Sequence, residues 1–190
     1  MKEIDFYPEI ARKFKQSITS KYPQFDVAYS CNKELPQMIE EVEKELNCDT
    51  VFSGSFIPKL KLDILFAIRN RQTGTSDLIL FEVKYEKYLT LSNYSQLLGY
   101  LQIAKKIQKG VLFLVNKGGH STNGFSNDFA EIVNANVLPM DWTVNEYNDT
   151  SERTFQTAIC QYFTGGMFRW MNASQFNGLS SVDEIVSGIV

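Results

Sequence analysis

Two segments limit what this chain can become more than any others: KLKLDILFAI (59–68) and DLILFEVKY (77–85), separated by RNRQTGTS. Both are rich in strand formers, and the spacer holds the turn former Gly74, so the pair reads as an antiparallel hairpin. Side chains alternate along a strand. Leu60, Leu62, Ile64, Phe66 and Ile68 therefore share one face with Ile79, Phe81, Val83 and Tyr85 of the second strand. The other face collects Lys61, Asp63, Leu65 and Ala67 with Leu78, Leu80, Glu82 and Lys84. A turn centred between Gln72 and Thr73 sets Asp63 opposite Glu82, Lys61 opposite Lys84 and Leu65 opposite Leu80.

Directly opposed carboxylates, roughly 5 Å apart at Cβ, repel and weaken a purely structural hairpin. A divalent cation between them reverses the sign, and an all-oxygen donor set suits Mg²⁺. A solvated edge hairpin is the plain alternative. Against it, Leu65, Leu78 and Leu80 continue the charged face as an apolar strip, which places the acids at the mouth of a covered sheet.

The rest of the chain supplies the cover. Ile10, Phe14 and Ile18 recur at helical spacing behind Pro8, predicting a helix over 8–20. FDVAYSC (25–31) predicts a strand, and Leu35, Met38, Ile39, Val42 and Leu46 predict a helix over 34–46. A short strand near 50–56, a helix over 90–109 and a buried strand at 111–115 (VLFLV) follow. The loop 117–124 is rich in turn formers, and its His120 reads as a loop residue. A helix near 152–164 and a last one from about 182, with Ser181 and Glu184 in a capping-box arrangement, complete the chain. Strands, then helix, then strand indicate one domain over 1–190, an α/β fold with a mixed sheet.

Composition excludes several chemistries. A single histidine leaves almost no material for His-based metal sites or Ser-His-Asp catalysis. Cys31, Cys48 and Cys160 are far apart and form no CxxC pair, which argues for reduced thiols in a cytoplasmic protein. No run approaches the ~18 apolar residues of a membrane span, and MKEIDFYPEI lacks the apolar stretch of a secretory signal. The net charge of −3 does not advertise a nucleic-acid binder. Its distribution does more: residues 59–109 carry +5, and residues 118–190 carry −6. A local basic patch can hold a phosphate backbone on an acidic protein.

At Asp63 in PKLKLDIL and Glu82-Val83-Lys84 in ILFEVKYE, the chain resembles the PD-(D/E)xK nuclease superfamily. That signature has an acid on one core strand and (D/E)-x-K on the next. Leu62 stands where the proline usually precedes the first acid. Gln96 and Tyr100 match the QxxxY motif of RecB-like and phage-exonuclease-like branches, and i, i+4 spacing sets both on one helical face. The resemblance covers roughly residues 58–116.

The resemblance implies a restriction-endonuclease-like mixed sheet flanked by helices, and a Mg²⁺-dependent nuclease in which Mn²⁺ substitutes. Asp63, Glu82 and the Val83 carbonyl would hold the metal. Lys84 would orient or activate the attacking water, and Gln96 and Tyr100 would position substrate. Relatives often add an acid from the first helix; Glu9 is the first choice, with Glu40 and Glu41 as rivals. The expected partner is DNA, with RNA left open, and no membrane. The aromatic-rich end (Trp142, Tyr147, Tyr162, Phe163, Phe168, Trp170, Phe176) could serve homodimerisation, single-strand stacking or plain core packing. Two other readings stay open: an inactive nucleic-acid- or protein-binding module on the same scaffold, and an unrelated α/β interaction domain.

Overall fold

The computed structural model describes residues 1–48, 56–116, 124–145, 152–163 and 166–189. A 3₁₀ turn, Glu3–Phe6, leads into α1 (Tyr7–Lys21), whose second residue is Pro8. Then come β1 (Phe25–Glu34), α2 (Leu35–Glu45), β2 (Lys61–Asn70), β3 (Ser76–Glu86), α3 (Leu91–Ile103) and β4 (Ile107–Asn116). The chain continues with α4 (Asn127–Asn134), β5 (Asp141–Asn145), β6 (Glu152–Phe163), β7 (Met167–Trp170) and α5 (Val182–Val186).

The strands form one mixed sheet in the order β1-β2-β3-β4-β6-β5, with β7 paired to the far end of β6. The hairpin β2–β3 is antiparallel and pairs Ile64 with Phe81 and Leu65 with Leu80, the expected register. A crossover through α3 then brings β4 parallel to β3, and β6 lies parallel to β4.

Both faces are covered, which gives two cores. One joins Met38, Ile39 and Val42 of α2 and Leu97 and Leu101 of α3 to Leu65, Leu80 and Leu112 of the sheet. The other joins Ile10, Phe14 and Ile18 of α1 to Ile64, Phe66, Phe81 and Phe113. Phe14 packs edge-on against Phe66, with ring centroids 4.7 Å apart, and lies 4.6 Å from Phe81. Burying such a ring contributes roughly 1.5–3 kcal/mol.

Several expectations need correction. Residues 152–164 do not form a helix: β6 occupies Glu152–Phe163. A central strand buried on both faces shows a run of apolar residues without clean alternation, and such a run reads equally as a buried helix. The helix predicted over 90–109 stops at Ile103, and β4 starts at Ile107, ahead of the expected 111. No glycine or proline in IAKKIQ marks that boundary. The sequence reading missed α4, β5 and β7. Ser181 caps Glu184 N as expected, but the Glu184 carboxylate reaches Ser180 N at 2.6 Å. Most of the strand near 50–56, His120 and Tyr147 lie outside the described residues. Of the other C-terminal aromatics, Tyr162 and Phe176 are buried, and Trp142 stacks on Phe155. Among the described residues, no helix is long and apolar enough to cross a membrane.

Candidate active site

The β2–β3 ladder ends at Ile64–Phe81, and beyond it the strands part. Irregularity on the other side of β2 marks the same place. The β1 ladder passes from Cys31–Ile64 to Lys33–Leu62, and Asn32 takes a left-handed φ of 53°. Leu62 consequently packs with Leu65 and Ala67, not with Ile64 as strict alternation requires. Where the strands part, two N–H groups of β3 are satisfied by side chains. Val83 N donates to Asp63 Oδ2 at 2.8 Å, and Tyr85 N donates to Glu3 Oε2 at 2.9 Å.

Asp63 thus lies in the gap between strands, which corrects its assignment to the same face as Glu82 and Lys84. Tyr7 reaches it from α1, on one side of the sheet, and its hydroxyl donates to Asp63 Oδ1 at 2.6 Å. From α3, on the other side, comes a second chain of bonds. Lys84 Nζ donates to Glu82 Oε1 at 2.7 Å and to Gln96 Oε1 at 3.1 Å. Gln96 Nε2 in turn donates to Tyr100 Oη at 2.9 Å. Thr90 caps the start of α3 by accepting from Asn93 N, which fixes the helix that carries this pair.

Burial makes these charges expensive. Glu82 is only 2% exposed, and its pKa is pushed up to about 7, first by burial and then by the charge of Asp63. Burial also raises Asp63, against the bonds from Tyr7 and Val83. For Lys84, burial works to lower the pKa, but Glu82, Asp63 and Glu3 more than offset it and keep the ammonium charged. One half-buried lysine thus faces the buried Glu82 and the half-buried Asp63, with Glu3 close enough to act on all three.

This donor set fits a hard cation. Asp63 and Glu82 supply carboxylate oxygens, and the Val83 carbonyl leaves the strand on the same side as its N–H, toward Asp63. Mg²⁺ is commonly held by one or two carboxylates completed by water and substrate phosphate. Among the described residues, no three His, Cys, Asp or Glu side chains draw together as a ready-made cage, so solvent or substrate would fill the remaining positions.

Asp63, Glu82, Lys84, Gln96 and Tyr100 are brought together; Glu9 is not. It accepts from Tyr162 Oη at 2.5 Å and lies 3.4 Å from Lys13 Nζ. Glu41 is taken by Ser30 and Lys33, and Glu40 is exposed. The acid that comes close to the site is Glu3, in the turn before α1. Reading from residues misses Glu3 because the turn has no periodicity. Tyr7 carried a usable signal, since it extends the Ile10–Phe14–Ile18 stripe by one helical turn.

No protein-family profile and no curated protein matches this chain.

Proposed function

We propose that this chain is a Mg²⁺-dependent nuclease of the PD-(D/E)xK kind, hydrolysing phosphodiester bonds of DNA. The observation that carries this reading is the bonded chain from Glu82 through Lys84 to Gln96 and Tyr100, with the Asp63 carboxylate close enough for its charge to act on both Glu82 and Lys84. A structural hairpin has no use for two repelling carboxylates drawn out of water beside one lysine. The order of an antiparallel pair β2–β3, crossover helix and parallel β4 also suits a restriction-endonuclease-like core.

Asp63 and Glu82 would hold the cation, with the Val83 carbonyl as a third protein oxygen. A bound Mg²⁺ supplies polarisation of the phosphoryl oxygen and a lowered pKa for its water. Lys84 stays charged, so its role is to orient the attacking water and offset charge on the phosphate, not to take a proton. Gln96 shares Lys84 with Glu82 and so steers the ammonium, while Tyr100 fixes the Gln96 amide. Exposed Lys61 and Lys87 flank this end of the sheet and supply contacts to a phosphate backbone. The basic patch is smaller than the sequence count implies, because Lys109 is buried against Asp77 and Arg71 is paired with Asp26.

The test is cleavage of linear, circular, single-stranded and branched DNA, and of RNA, with Mg²⁺ or Mn²⁺, comparing wild type with Lys84→Ala. Metal-dependent cleavage by wild type alone is expected. A wild type that shifts DNA in a gel but never cleaves is a binding module, and one that does neither is a different kind of domain.

A further inference from the structure

Asp63 is held at both oxygens, Oδ2 by the Val83 N–H and Oδ1 by the Tyr7 hydroxyl. A carboxylate oxygen has two lone-pair sites, so each oxygen keeps one free while rotation of the group is blocked. Tyr7 cannot swing away. It is only 4% exposed and packs in the core with Ile10 and Phe14, and Pro8 follows it. Its oxygen also lies 3.1 Å from Glu3 Oε1, and Glu3 is itself anchored on Tyr85 N. Two alternate N–H groups of β3 thus anchor two carboxylates, and one phenol spans them.

We propose that Tyr7 is the positioning residue of this site: it locks the Asp63 carboxylate in the orientation a divalent cation requires and makes the start of the first helix part of the metal site. This rests on the metal-site reading above. The phenol brings a donor whose single proton fixes Asp63 without adding charge. Residues that orient a metal ligand through a hydrogen bond typically account for 10- to 100-fold in metal affinity. Glu3 competes with Asp63 for that one proton at a longer distance, 3.1 Å against 2.6 Å, and its anchoring to β3 keeps the turn ahead of α1 in place.

The experiment is Mn²⁺ titration by calorimetry of wild type, Tyr7→Phe and Glu3→Gln, with melting temperatures from the same samples. Tyr7→Phe keeps the packed ring and loses only the hydroxyl. It is expected to bind Mn²⁺ roughly 10- to 100-fold more weakly while melting within a few degrees of wild type. In cleavage it should need correspondingly more metal for half-maximal rate, with kcat at saturating metal changed far less. Glu3→Gln keeps the Tyr7–Asp63 bond and should retain Mn²⁺ affinity within a few-fold.

Equal Mn²⁺ affinity in wild type and Tyr7→Phe, even with a lowered melting temperature, would make Tyr7 a structural latch and overturn the proposal. So would a loss in Glu3→Gln as large as in Tyr7→Phe, because cluster charge would then set affinity. If Tyr7→Phe folds poorly, Glu3→Gln is read against wild type, and a loss of roughly 10-fold or more there overturns the proposal in the same way. A wild type that binds no Mn²⁺ removes the metal-site reading, and this proposal with it.

Discussion

Strand β3 contributes to a largely buried lysine–carboxylate pair at each end, and the two are built differently. At one end Asp77 meets Lys109 at 3.1 Å, and Lys109 Nζ also donates to the Ile185 carbonyl at 2.7 Å. One positive charge answers one negative, and a main-chain oxygen takes up another ammonium proton. At the other end Lys84 meets Glu82 at 2.7 Å, but Asp63 adds a second carboxylate and Gln96 extends the network toward solvent. In both pairs one partner is buried and the other half-buried, and both involve β3, so burial of a charge does not by itself separate structure from chemistry. Charge balance does. A closed, balanced pair holds the fold, whereas an unbalanced, extended cluster is what the proposed metal site calls for.

The contrast breaks most readily under substitution of the two lysines. Lys84→Ala should lower cleavage roughly 10²–10³-fold with little loss of DNA affinity, since each phosphate contact is one increment of a salt-sensitive sum. Lys109→Ala should leave the activity of the folded fraction near wild type. It should instead destabilise the protein by about 3–5 kcal/mol, because Asp77 stays buried without its partner. Urea unfolding and cleavage rates on both variants check this, and an activity loss in Lys109→Ala without a stability loss would reverse the assignment.

The next effect is on stability against pH. Glu82 has its pKa at about 7 in the fold against an ordinary 4.5. Between those values the folded chain keeps a proton that the unfolded chain has released. The stabilisation is therefore fully present below about pH 4.5 and is lost as pH rises through about 7. Linkage puts the difference on the order of 2–3 kcal/mol for metal-free protein. Asp63 and Asp77 are raised as well, so the clean quantity is wild type minus Glu82→Gln. Unfolding of both at pH 4.5 and pH 7.5 should show a slope that is shallower in Glu82→Gln by that amount.

Smaller effects sharpen the boundary of the cluster. Gln96→Ala frees the Lys84 ammonium on one side and should cost cleavage roughly 10-fold, about 1.4 kcal/mol. Glu9→Gln removes an acid tied to Tyr162 and Lys13 and should leave metal dependence unchanged. A shifted Mg²⁺ requirement in Glu9→Gln, measured by cleavage against metal concentration, would place the edge of the site further along α1.

The sequence carries unequal amounts of this picture. The register of β2–β3 follows from a short turn and two apolar faces that cannot slip by one residue without exposing a core. α1 and α2 are legible because their apolar residues keep a helical spacing and each has a proline as its second residue. The distortion at Asp63 is not legible, because it depends on Asn32, a residue distant in sequence that only β1–β2 pairing brings opposite. β6 is hidden for a related reason: its burial on both faces comes from partners elsewhere in the chain. Asp63, Glu82, Lys84, Gln96 and Tyr100 all fall within one hairpin and the helix after it, so local patterns reach them. Glu3 and Tyr7 arrive by tertiary contact, and periodicity alone does not bring them to the site.

The place of β6 between β4 and β5 has a consequence during synthesis. β4 is apolar on both faces and takes β6 as its outer neighbour, yet β6 starts well downstream of the end of β4. At 5–20 residues per second, the ribosome needs roughly 2–7 s to cover that gap. Throughout it the hairpin, α3 and β4 are already made, while the outer side of β4 is an unpaired, water-averse border. Such a border is a template for strands of other chains. Chains cut short in that interval and released are thus prone to associate with one another, although every residue of the Asp63–Tyr100 cluster has by then been made.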